Sequence, residues 1–233
     1  MGKHAASAVD TLLARIPYFA ELDAATRSGL ARAVRRRRCE AGEHILTENE
    51  PGEGLYFVVS GQVRLVKLSP DGREHVLRVL GPGATFNDTA VFAGGPSTDS
   101  AVAVGETVVG MMPQATMTAL IERHPVVAKA GLKLLSARHR ALAKVVEDLA
   151  LRDVTTRVAR LLLGCLGRAE HILEHAESAC ARITHQEIAT MVGSVREVVQ
   201  RALKELEREG AISLGRGRIH VRDVHKLERR AGG

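Results

Sequence analysis

The stretch that decides the fold is Ile183–Leu206, which reads I-T-H-Q-E-I-A-T-M-V-G-S-V-R-E-V-V-Q-R-A-L-K-E-L. Thr184, followed three residues later by Glu187, has the pattern of a capping box and predicts the start of a helix. Gly193 predicts a tight turn. Ser194 then predicts the N-cap of a second helix. Two capped helices around one glycine are typical of a helix-turn-helix.

Apolar residues in this stretch assign one face of each helix to the interior. The predicted buried residues are Ile188, Ala189 and Val192 in the first helix, and Val198, Ala202, Leu203 and Leu206 in the second. The side chains left on or near the exposed side are Val195, Arg196, Gln200 and Lys204, with Glu197 and Arg201 on an adjacent stripe. The second helix of such a motif inserts its N-terminal residues into the major groove. Arg196 there can bind guanine O6 and N7, and Glu197 can accept a hydrogen bond from cytosine N4.

Two short strand-like runs follow the second helix. Residues 211–222 read A-I-S-L-G-R-G-R-I-H-V-R, in which a Gly-Arg-Gly tip joins the two runs and predicts a β-wing. Arg216 and Arg218 have no acidic neighbour in the sequence, so we expect them to bind DNA phosphates. A solvated hairpin is the alternative interpretation.

The middle of the chain, from residue 40 to about 112, consists of short runs rich in Val, Leu and Ile that glycines separate. The predicted strands are Leu55–Val59, Val63–Leu68, Val76–Leu80 and Ala101–Val104. Ser69-Pro70-Asp71-Gly72 has the residues of a tight turn and predicts a hairpin. Regular short strands with glycine-rich turns indicate a small antiparallel barrel or roll.

The N-terminal region, residues 10–38, has apolar residues at helical spacing, and Asp23 is the expected N-cap of its second helix. The basic run Arg35–Arg38 lies at the end of this region. Two interpretations stay open for it: an anion-binding patch, or the solvated end of a helix.

A long helix is predicted from residue 126 to 148 or slightly beyond. Leu135, Leu142 and Leu149 lie seven residues apart, which is heptad spacing over about three repeats. The predicted dimer seam consists of Leu132, Leu135, Leu142, Val146 and Leu149. We expect two such helices to pair in a homodimer. The alternative is an amphipathic helix that packs on its own domain.

These elements predict an α+β fold with three parts. Residues 1–112 are expected to form N-terminal helices and an effector-sensing antiparallel β-roll. Residues 113–151 are expected to form the long dimerisation helix and a hinge, and residues 152–233 a winged helix-turn-helix. The length of 233 residues also favours more than one domain.

Charge and aromatic residues differ between the two halves of the chain. The net charge is +6, and the part from Leu149 onward has 15 Lys and Arg against 11 Asp and Glu, a net charge of +4. A modest excess of this size suits specific binding to duplex DNA. All six Phe and Tyr residues lie between Tyr18 and Phe92, and there is no Trp. This pattern excludes base stacking on aromatic side chains by the C-terminal half.

Cysteine and histidine spacing predicts no metal site. The cysteines at 39, 165 and 180 form no C-x-x-C pair, which favours reduced thiols and a cytoplasmic location. His171 and His175 lack a third ligand, so we expect surface residues there. No signal peptide or membrane-spanning stretch is expected. An enzyme is not expected either, because no nucleophile–base pair or phosphate-cradling loop is visible.

The order of roll, long helix and winged helix-turn-helix resembles the Crp/Fnr family of bacterial transcription regulators, from about residue 15 to 228. The family spacing of a glycine, two residues, Arg-Glu and a further Arg is matched by Gly193, Arg196, Glu197 and Arg201. The resemblance implies a homodimeric, sequence-specific regulator that binds a palindromic operator on double-stranded DNA and contacts RNA polymerase. The residues expected at the DNA are Thr184, His185, Gln186, Ser194, Val195, Arg196, Glu197, Gln200, Arg201, Arg216 and Arg218.

The cassette at residues 86–101 departs from the cyclic-AMP-binding members of this family. Those members carry Gly-Glu and Arg-Ser pairs, where this chain has Asn-Asp at 87–88 and Asp-Ser at 99–100. An Asp in place of the phosphate-binding Arg repels a phosphate. Leu142 and Ala143 stand at the adenine-contacting Thr-Ser positions and donate no side-chain hydrogen bond, so we expect independence of cyclic AMP. By this resemblance, the effector pocket consists of Phe86, Asn87, Asp88, Asp99, Ser100, His139 and Leu142.

Two alternatives stay open for the function. One is a haem- or redox-responsive regulator of the same fold, although the family's cysteine cluster and known haem ligands are absent. Haem could instead bind through His44, His75 or His139, but His75 is otherwise expected on the surface of the roll. The other alternative is a cyclic-nucleotide-binding module that acts through a protein partner. Failure to bind duplex DNA would favour that module.

Overall fold

The computed structural model describes residues 9–167, 173–174, 183–215 and 218–232. These residues divide into two units. The first contains the chain up to Val66 together with Leu80–His139, and the second contains Lys67–Val79 and the chain from Arg140 onward. The second unit therefore includes the hairpin segment that is expected in the roll from the sequence. The domain boundaries expected at residues 112 and 151 stay predictions.

The first part of the chain is rich in strands and ends with the long helix. Residues 9–13 are helical. The elements that follow are α1 (Ala24–Ala33), β1 (Arg35–Cys39), β2 (His44–Leu46), β3 (Gly54–Ser60), β4 (Val63–Leu68), β5 (Glu74–Leu80), β6 (Thr85–Phe86), α2 (Asp88–Ala93), β7 (Ser100–Ala103), β8 (Thr107–Pro113), α3 (Gln114–Arg123) and α4 (Pro125–Leu151). The four predicted strands are confirmed to within two residues at each end.

The strands of the first unit form two antiparallel sheets, as a roll requires. One sheet has the order β1-β8-β3-β6, and Met111 at its centre lies opposite Arg35 on one side and Tyr56 on the other. In the other sheet β7 lies between β2 and β4, with Ser100 opposite Val66. The predicted antiparallel roll is therefore confirmed.

The predicted turn at residues 69–72 is also confirmed. The Gly72 amide donates to the Ser69 carbonyl at 2.9 Å, and the Ser69 amide donates to the Arg73 carbonyl at 2.9 Å. Gly72 has φ +80°, which a glycine adopts without strain. The turn leads into β5, which is a neighbour of the two-residue strand β9 (Leu173–Glu174) within the second unit.

The helical interpretation of residues 10–38 is correct only in part. Asp23 caps α1 as predicted, since its carboxylate accepts from the Thr26 amide at 2.9 Å. The run Arg35–Arg38, however, lies in β1 and not at a helix end. Its backbone pairs with β8, and this ladder outweighs the helix propensity of arginine. The four arginines are exposed, and Glu53, Glu43 and Glu106 form ion pairs with Arg35, Arg37 and Arg38.

The six aromatic residues lie in the interior of the first unit. Tyr18, Phe19, Phe57 and Phe86 are fully buried, Tyr56 is buried, and Phe92 is half-buried. The rings of Tyr56 and Phe86 stack with a centroid distance of 5.3 Å. Such rings contribute large apolar areas to the core, which accounts for their restriction to this part of the sequence.

The long helix α4 has 27 residues, which corresponds to about 40 Å. It begins at Pro125, where the missing amide and the fixed φ suit the first turn. Gly131 faces the ring of Phe92, since a Cβ at this glycine would lie 2.5 Å from Phe92 Cζ. Glycine therefore allows α4 to lie directly against α2.

The second unit contains the C-terminal helices and the wing. The elements are α5 (Val154–Cys165), α6 (His185–Val192), α7 (Arg196–Arg208), β10 (Ile212–Gly215), β11 (Arg218–Val221) and α8 (Val224–Arg230). Their core packs apolar residues from every helix, including Leu161, Ile188, Leu203 and Leu227. β10 and β11 pair antiparallel, which confirms the predicted wing hairpin.

One cysteine differs from expectation. Cys39 is a buried free thiol, but Cys165 at the end of α5 is disulfide-bonded. The expectation that the thiols are reduced is therefore wrong for Cys165. Cys180, His171 and His175 lie outside the described residues.

Candidate nucleic-acid interface and effector site

The start of α6 has the predicted capping box. The Thr184 hydroxyl accepts from the Glu187 amide at 3.2 Å, and the Glu187 carboxylate accepts from the Thr184 amide at 2.7 Å. Two backbone amides that a helix start leaves open are thereby bonded. Ile188, Ala189 and Val192 are buried as predicted. The capping box therefore fixes where α6 begins, and the apolar residues fix which face of the helix is buried.

The turn between the two helices is left-handed at Gly193. This residue has φ +62°, and the amides of Gly193 and Ser194 both donate to the Ala189 carbonyl. Ser194 is thus part of the end of α6. The extended residue before α7 is Val195, whose carbonyl accepts the first helical bonds.

The predicted cap of the second helix is therefore wrong. Val195, not Ser194, is the N-cap of α7, and its side chain makes no capping hydrogen bond. The helix starts at Arg196, one residue later than the sequence pattern indicates. Sequence reasoning missed this shift because Ser is a preferred N-cap and Val is not. The signal that could have found it is the glycine, since a left-handed helix end also uses the amide of the next residue.

The same shift changes one residue of the buried face of α7. Val199 is fully buried with Ala202, Leu203 and Leu206, whereas Val198 is only half-buried. Val199, Leu203 and Leu206 follow the spacing i, i+4, i+7, so they lie on one helix face. The prediction of Val198 for the core was wrong by one residue, and the other three positions are confirmed.

The exposed side of α7 carries the side chains that were expected there. Val195, Arg196, Glu197, Gln200, Arg201 and Lys204 are all exposed. Arg196 and Glu197 lie in the first turn, where side chains of a recognition helix reach base edges. On α6, Gln186 is exposed and His185 is half-buried. Arg218 is exposed on β11, and Arg216 lies outside the described residues.

Hydrogen bonds from α5 and α8 stabilise the helix-turn-helix. Arg157 of α5 donates to the Val192 carbonyl at 2.6 Å, which fixes the last turn of α6. Glu205 of α7 accepts from the Thr155 hydroxyl at 2.9 Å and from Arg230 of α8 at 3.2 Å. Sequence reasoning missed these contacts, because the partners of Glu205 lie 50 and 25 residues away in the chain.

A buried polar network occupies the cassette of the first unit. Asp88, at the start of α2, is only 4% exposed, and its Oδ1 accepts from Tyr18 Oη at 2.6 Å and from Thr85 Oγ1 at 2.9 Å. Its Oδ2 forms an ion pair with Arg138 of α4, whose side chain is 13% exposed. Arg138 Nη2 also donates to the Thr85 carbonyl at 2.8 Å. Tyr18, Thr85 and Arg138 are the members of this site that sequence reasoning missed.

The network also controls the protonation of Tyr18. Burial raises the pKa of its hydroxyl far above the usual range, and the neighbouring Asp88 carboxylate raises it further. Tyr18 therefore remains a neutral donor to a carboxylate that is already paired with Arg138. Each oxygen of Asp88 has at least one partner within the chain.

Asn87 has a structural role. Its backbone is left-handed with φ +65°, a conformation that asparagine tolerates better than most residues. Its amide group donates to the Gly54 carbonyl at 2.9 Å, and its Oδ1 accepts from the Ser97 hydroxyl at 3.0 Å. A Cβ at Gly52 would overlap Asn87 Nδ2, so this glycine leaves room for the amide group.

The other residues expected in the effector pocket differ in burial and in their hydrogen-bond partners. Phe86 is fully buried, and the Ser100 hydroxyl accepts from the Glu48 amide at 3.0 Å. Asp99 is half-buried and accepts from the Thr98 hydroxyl at 3.0 Å. His139 and Leu142 are exposed on α4. Among the expected pocket residues, Asp88 alone belongs to the buried network described above.

The proposed seam of α4 is largely exposed. Leu132 and Val146 are 70% and 59% exposed, Leu142 and Leu149 are also exposed, and Leu135 is half-buried. Separately, no described helix is long and apolar enough to cross a membrane. The described part of the chain also contains no group of three or more His, Cys, Asp or Glu side chains placed to hold a metal ion.

Comparison with known proteins identifies the family. A model of the cyclic nucleotide-binding domain matches residues 36–124, and a model of the Crp-like helix-turn-helix domain matches residues 156–230. A "CRP-like cAMP-activated global transcriptional regulator" from Mycobacterium tuberculosis is 31% identical over 227 residues, covering 96% of this chain and 100% of the relative. The chain belongs to the Crp/Fnr family of transcription regulators. It is thus a DNA-binding regulator of the Crp/Fnr type with the α+β fold described above.

Other Crp/Fnr proteins give the same result. A "Cyclic AMP receptor protein" from Thermus thermophilus is 34% identical over 198 residues, covering 85% of this chain and 88% of the relative. The crystal structure of a CRP/FNR family transcriptional regulator from Thermus thermophilus has 28% identity and a TM-score of 0.67, covering 85% of this chain and 99% of that one. The relatives are named as transcription regulators or receptors.

Proposed function

We propose that the protein is a homodimeric Crp/Fnr regulator that reads a palindromic operator with α7 and acts without cyclic AMP. The observation that carries the DNA-reading part is the exposed first turn of α7, where Arg196 and Glu197 follow the left-handed turn at Gly193. The core-facing side of the same helix is fully buried, so these two side chains are presented on a rigid element.

The proposed contacts divide by chemistry. Arg196 and Glu197 read base edges, and Arg201, Gln200 and Val195 extend that reading along the groove. Thr184, His185, Gln186 and Ser194 approach the backbone of the DNA, and Arg216 and Arg218 bind phosphates from the wing. In a dimer, two α7 helices reach half-sites about 34–36 Å apart, which is one turn of the duplex.

The dimer is supported by the exposed apolar residues of α4. Four of the five seam residues are exposed although they are Leu or Val, and heptad spacing is the pattern that pairs helices. The proposed partners are therefore a second copy of the chain and double-stranded DNA. RNA polymerase is a further proposed partner, and a cytoplasmic location follows from that role.

Independence of cyclic AMP is supported by the chemistry of the cassette. Asp88 would be needed to accept from a ribose hydroxyl, but it already accepts from Tyr18, Thr85 and Arg138. Asp99 is an acid where a phosphate would require a base. Two relatives carry cyclic AMP in their names, so the proposal rests on these residues and not on the family.

Two alternatives have less support. Haem binding through a histidine would require His44 or His139, which are exposed, or His75, which is half-buried. A redox response through Cys39 would require a reactive thiolate, which burial disfavours by raising the pKa of this thiol. The disulfide-bonded Cys165 is the remaining group for such a response. A module that acts only through a protein partner would have no use for the exposed polar first turn of α7.

The test is operator selection followed by one matched pair of variants. Full-length protein is used to select binding sequences from random duplexes, and affinity is measured at fixed salt. Arg196→Ala should cost about 1–3 kcal/mol and relax the preference at one base pair in each half-site. Arg208→Ala is the control, because it removes the same charge from the last turn of the same helix. The proposal is wrong if the wild type shows no sequence preference. It is also wrong if both variants lose the same operator affinity.

A further inference from the structure

Three residues from outside the motif lie beside the turn of the helix-turn-helix. A Cβ at Gly193 would lie 2.8 Å from Leu149 Cδ2 of α4, 3.5 Å from Arg157 Nη1 of α5 and 3.5 Å from His75 Cε1 of β5. All four residues belong to the second unit. The turn therefore contacts the end of the long helix, the first helix of the DNA-binding part and the hairpin strand that carries His75.

The His75 ring is half-buried at this place, and it contacts α6 directly. The Thr190 backbone lies beside the imidazole and favours its protonated form, while Nε2 is buried without a hydrogen-bond partner in the described part of the chain. A neutral imidazole can leave one nitrogen bare as an unused acceptor at modest cost. A protonated ring would instead bury an N–H group with no acceptor, which is the less stable state.

The charges around the ring act in the same direction. Burial lowers the pKa of His75, the adjacent Arg157 guanidinium lowers it further, and the Thr190 backbone partly opposes both. The carboxylates of Asp148 on α4 and Asp153 before α5 in turn favour the charged form of Arg157.

Other titratable side chains lie on the neighbouring elements, and Asp148 of α4 is paired with Arg152 and Arg160. On α6 they are His185 and Glu187 in the first turn, where Glu187 is bonded to Thr184. On the hairpin, Arg73 is paired with Asp71, and Glu74 precedes His75. None of these groups acts on the ring as Arg157 does.

We propose that His75 is a positioning residue for DNA reading: in its neutral form it holds the Gly193 turn, and its protonation loosens the turn and weakens operator binding. This inference rests on the proposed DNA-reading function and names a regulation of that same site. His75 does not contact DNA in this proposal. It acts through Gly193 and Thr190 on the first turn of α7, where Arg196 and Glu197 are presented.

The direction of the pH effect follows from linkage. His75 has the lower pKa when its ring is packed beside the Gly193 turn, which we call the docked state. When the ring is released, in the undocked state, His75 therefore binds more protons between the two pKa values. The docking contribution is complete above the ordinary histidine pKa of about 6.5, and it decreases as the pH falls toward the lowered value. Binding of operator should likewise lower the pKa of His75, because the coupling is reciprocal.

The experiment is a pH profile of operator affinity from about pH 5.5 to 8 at constant ionic strength. It compares full-length wild type with His75→Asn, which keeps a hydrogen-bonding group but cannot titrate. His44→Asn is the control, because His44 is exposed on β2. His185 and His220 are present in all three proteins, so the comparison isolates the effect of His75.

We expect the operator affinity of wild type and of His44→Asn to fall on acidification. The fall should be up to about tenfold for each pH unit by which docking lowers the pKa of His75. The profile of His75→Asn should be flatter over the same range. Equal profiles for wild type and His75→Asn would overturn the inference. If neither protein binds a selected operator at pH 7.5, the proposed function has failed first, and the two failures are thus distinguishable.

A second measurement covers the case in which His75→Asn does not fold. The ring proton of His75 in wild-type protein is titrated by NMR with and without the selected operator duplex. The inference requires a lower pKa with operator bound. An unchanged pKa contradicts it.

Discussion

The guanidinium of Arg138 on α4 is paired with the buried carboxylate of Asp88 at the start of α2. The two residues are 50 positions apart in the chain, and the contact joins the long helix to the cassette of the first unit. Tyr18 and Thr85 complete the site from the N-terminal segment and from β6. Four parts of the chain therefore meet at one carboxylate.

Removal of Arg138 should destabilise the protein strongly. Arg138→Met leaves Asp88 buried without its cation, which costs about 3–5 kcal/mol for a buried pair. The free energy of unfolding in urea is the measurement, and Arg140→Met is the control because Arg140 is exposed. The double variant Asp88→Asn with Arg138→Met should recover much of the loss, because the amide removes the charge while its oxygen can still accept from Tyr18 and Thr85. A loss in the double variant larger than in Arg138→Met alone would contradict this account.

Tyr18 should make the stability fall at alkaline pH. Its folded pKa is raised, so its contribution is complete below the unfolded pKa of about 10 and is lost as the pH rises above it. Tyr18→Phe should therefore show a flatter stability profile above about pH 10 than the wild type. The chain has two tyrosines and no tryptophan, so tyrosinate absorbance can follow the titration. Tyr56→Phe is the matched control variant. If the stability of Tyr18→Phe falls with pH as steeply as that of the wild type, the prediction is wrong.

Local patterns in the sequence were sufficient for much of the fold. The capping box at Thr184, the turn at Ser69 and the apolar face of α6 depend on residues within one turn or one hairpin, and all are confirmed. The basic run at 35–38 was assigned to a helix because its pairing with β8, about 70 residues away, is not visible locally.

In the candidate sites, too, local patterns could be predicted from the sequence and contacts between distant residues could not. Exposed side chains on α7 follow from helix periodicity, and they were predicted. Tyr18 and Arg138 were missed because only the tertiary fold brings them to Asp88. The wrong N-cap has a different cause, since Ser194 and Val195 are adjacent and the left-handed turn at Gly193 decides between them.

Val195 should limit stability and serve DNA reading. It caps α7 without a hydrogen bond, so Val195→Ser should raise the free energy of unfolding by about 0.5–2 kcal/mol. Because Val195 is 50% exposed beside Arg196, we expect its methyl groups to contact a thymine methyl group. Val195→Ser should then lose the preference for thymine over uracil at one operator position. Ser194→Ala is the control, and a large loss of stability there would show that Ser194 is the true cap.

A charge in the α4 seam should separate the dimer. Val146→Glu would place two carboxylates in the proposed interface, and like charges that lose water repel strongly. Sedimentation of the full-length variant should show a monomer at concentrations where the wild type is a dimer. Ala141→Glu adds the same charge to an exposed position of α4 outside the seam, so it should remain dimeric. A monomeric wild type would remove the basis of this prediction.

Cyclic AMP should give no saturable heat in calorimetry with the full-length protein. The oxygens of Asp88 already accept within the chain, and Asp99 would repel the phosphate. The Thermus thermophilus protein named a cyclic AMP receptor protein serves as the positive control. A micromolar site in this chain would show that the buried network opens for the nucleotide.

The arginines of β1 have a consequence for assembly. β1 is an outer strand of its sheet, and outer strands expose backbone groups to which a strand of another molecule can add. The four exposed arginines, three of them in ion pairs, make such addition unfavourable, because a second strand would crowd these charged side chains and remove their water. The charged strand thus acts as a gatekeeper against edge-to-edge aggregation.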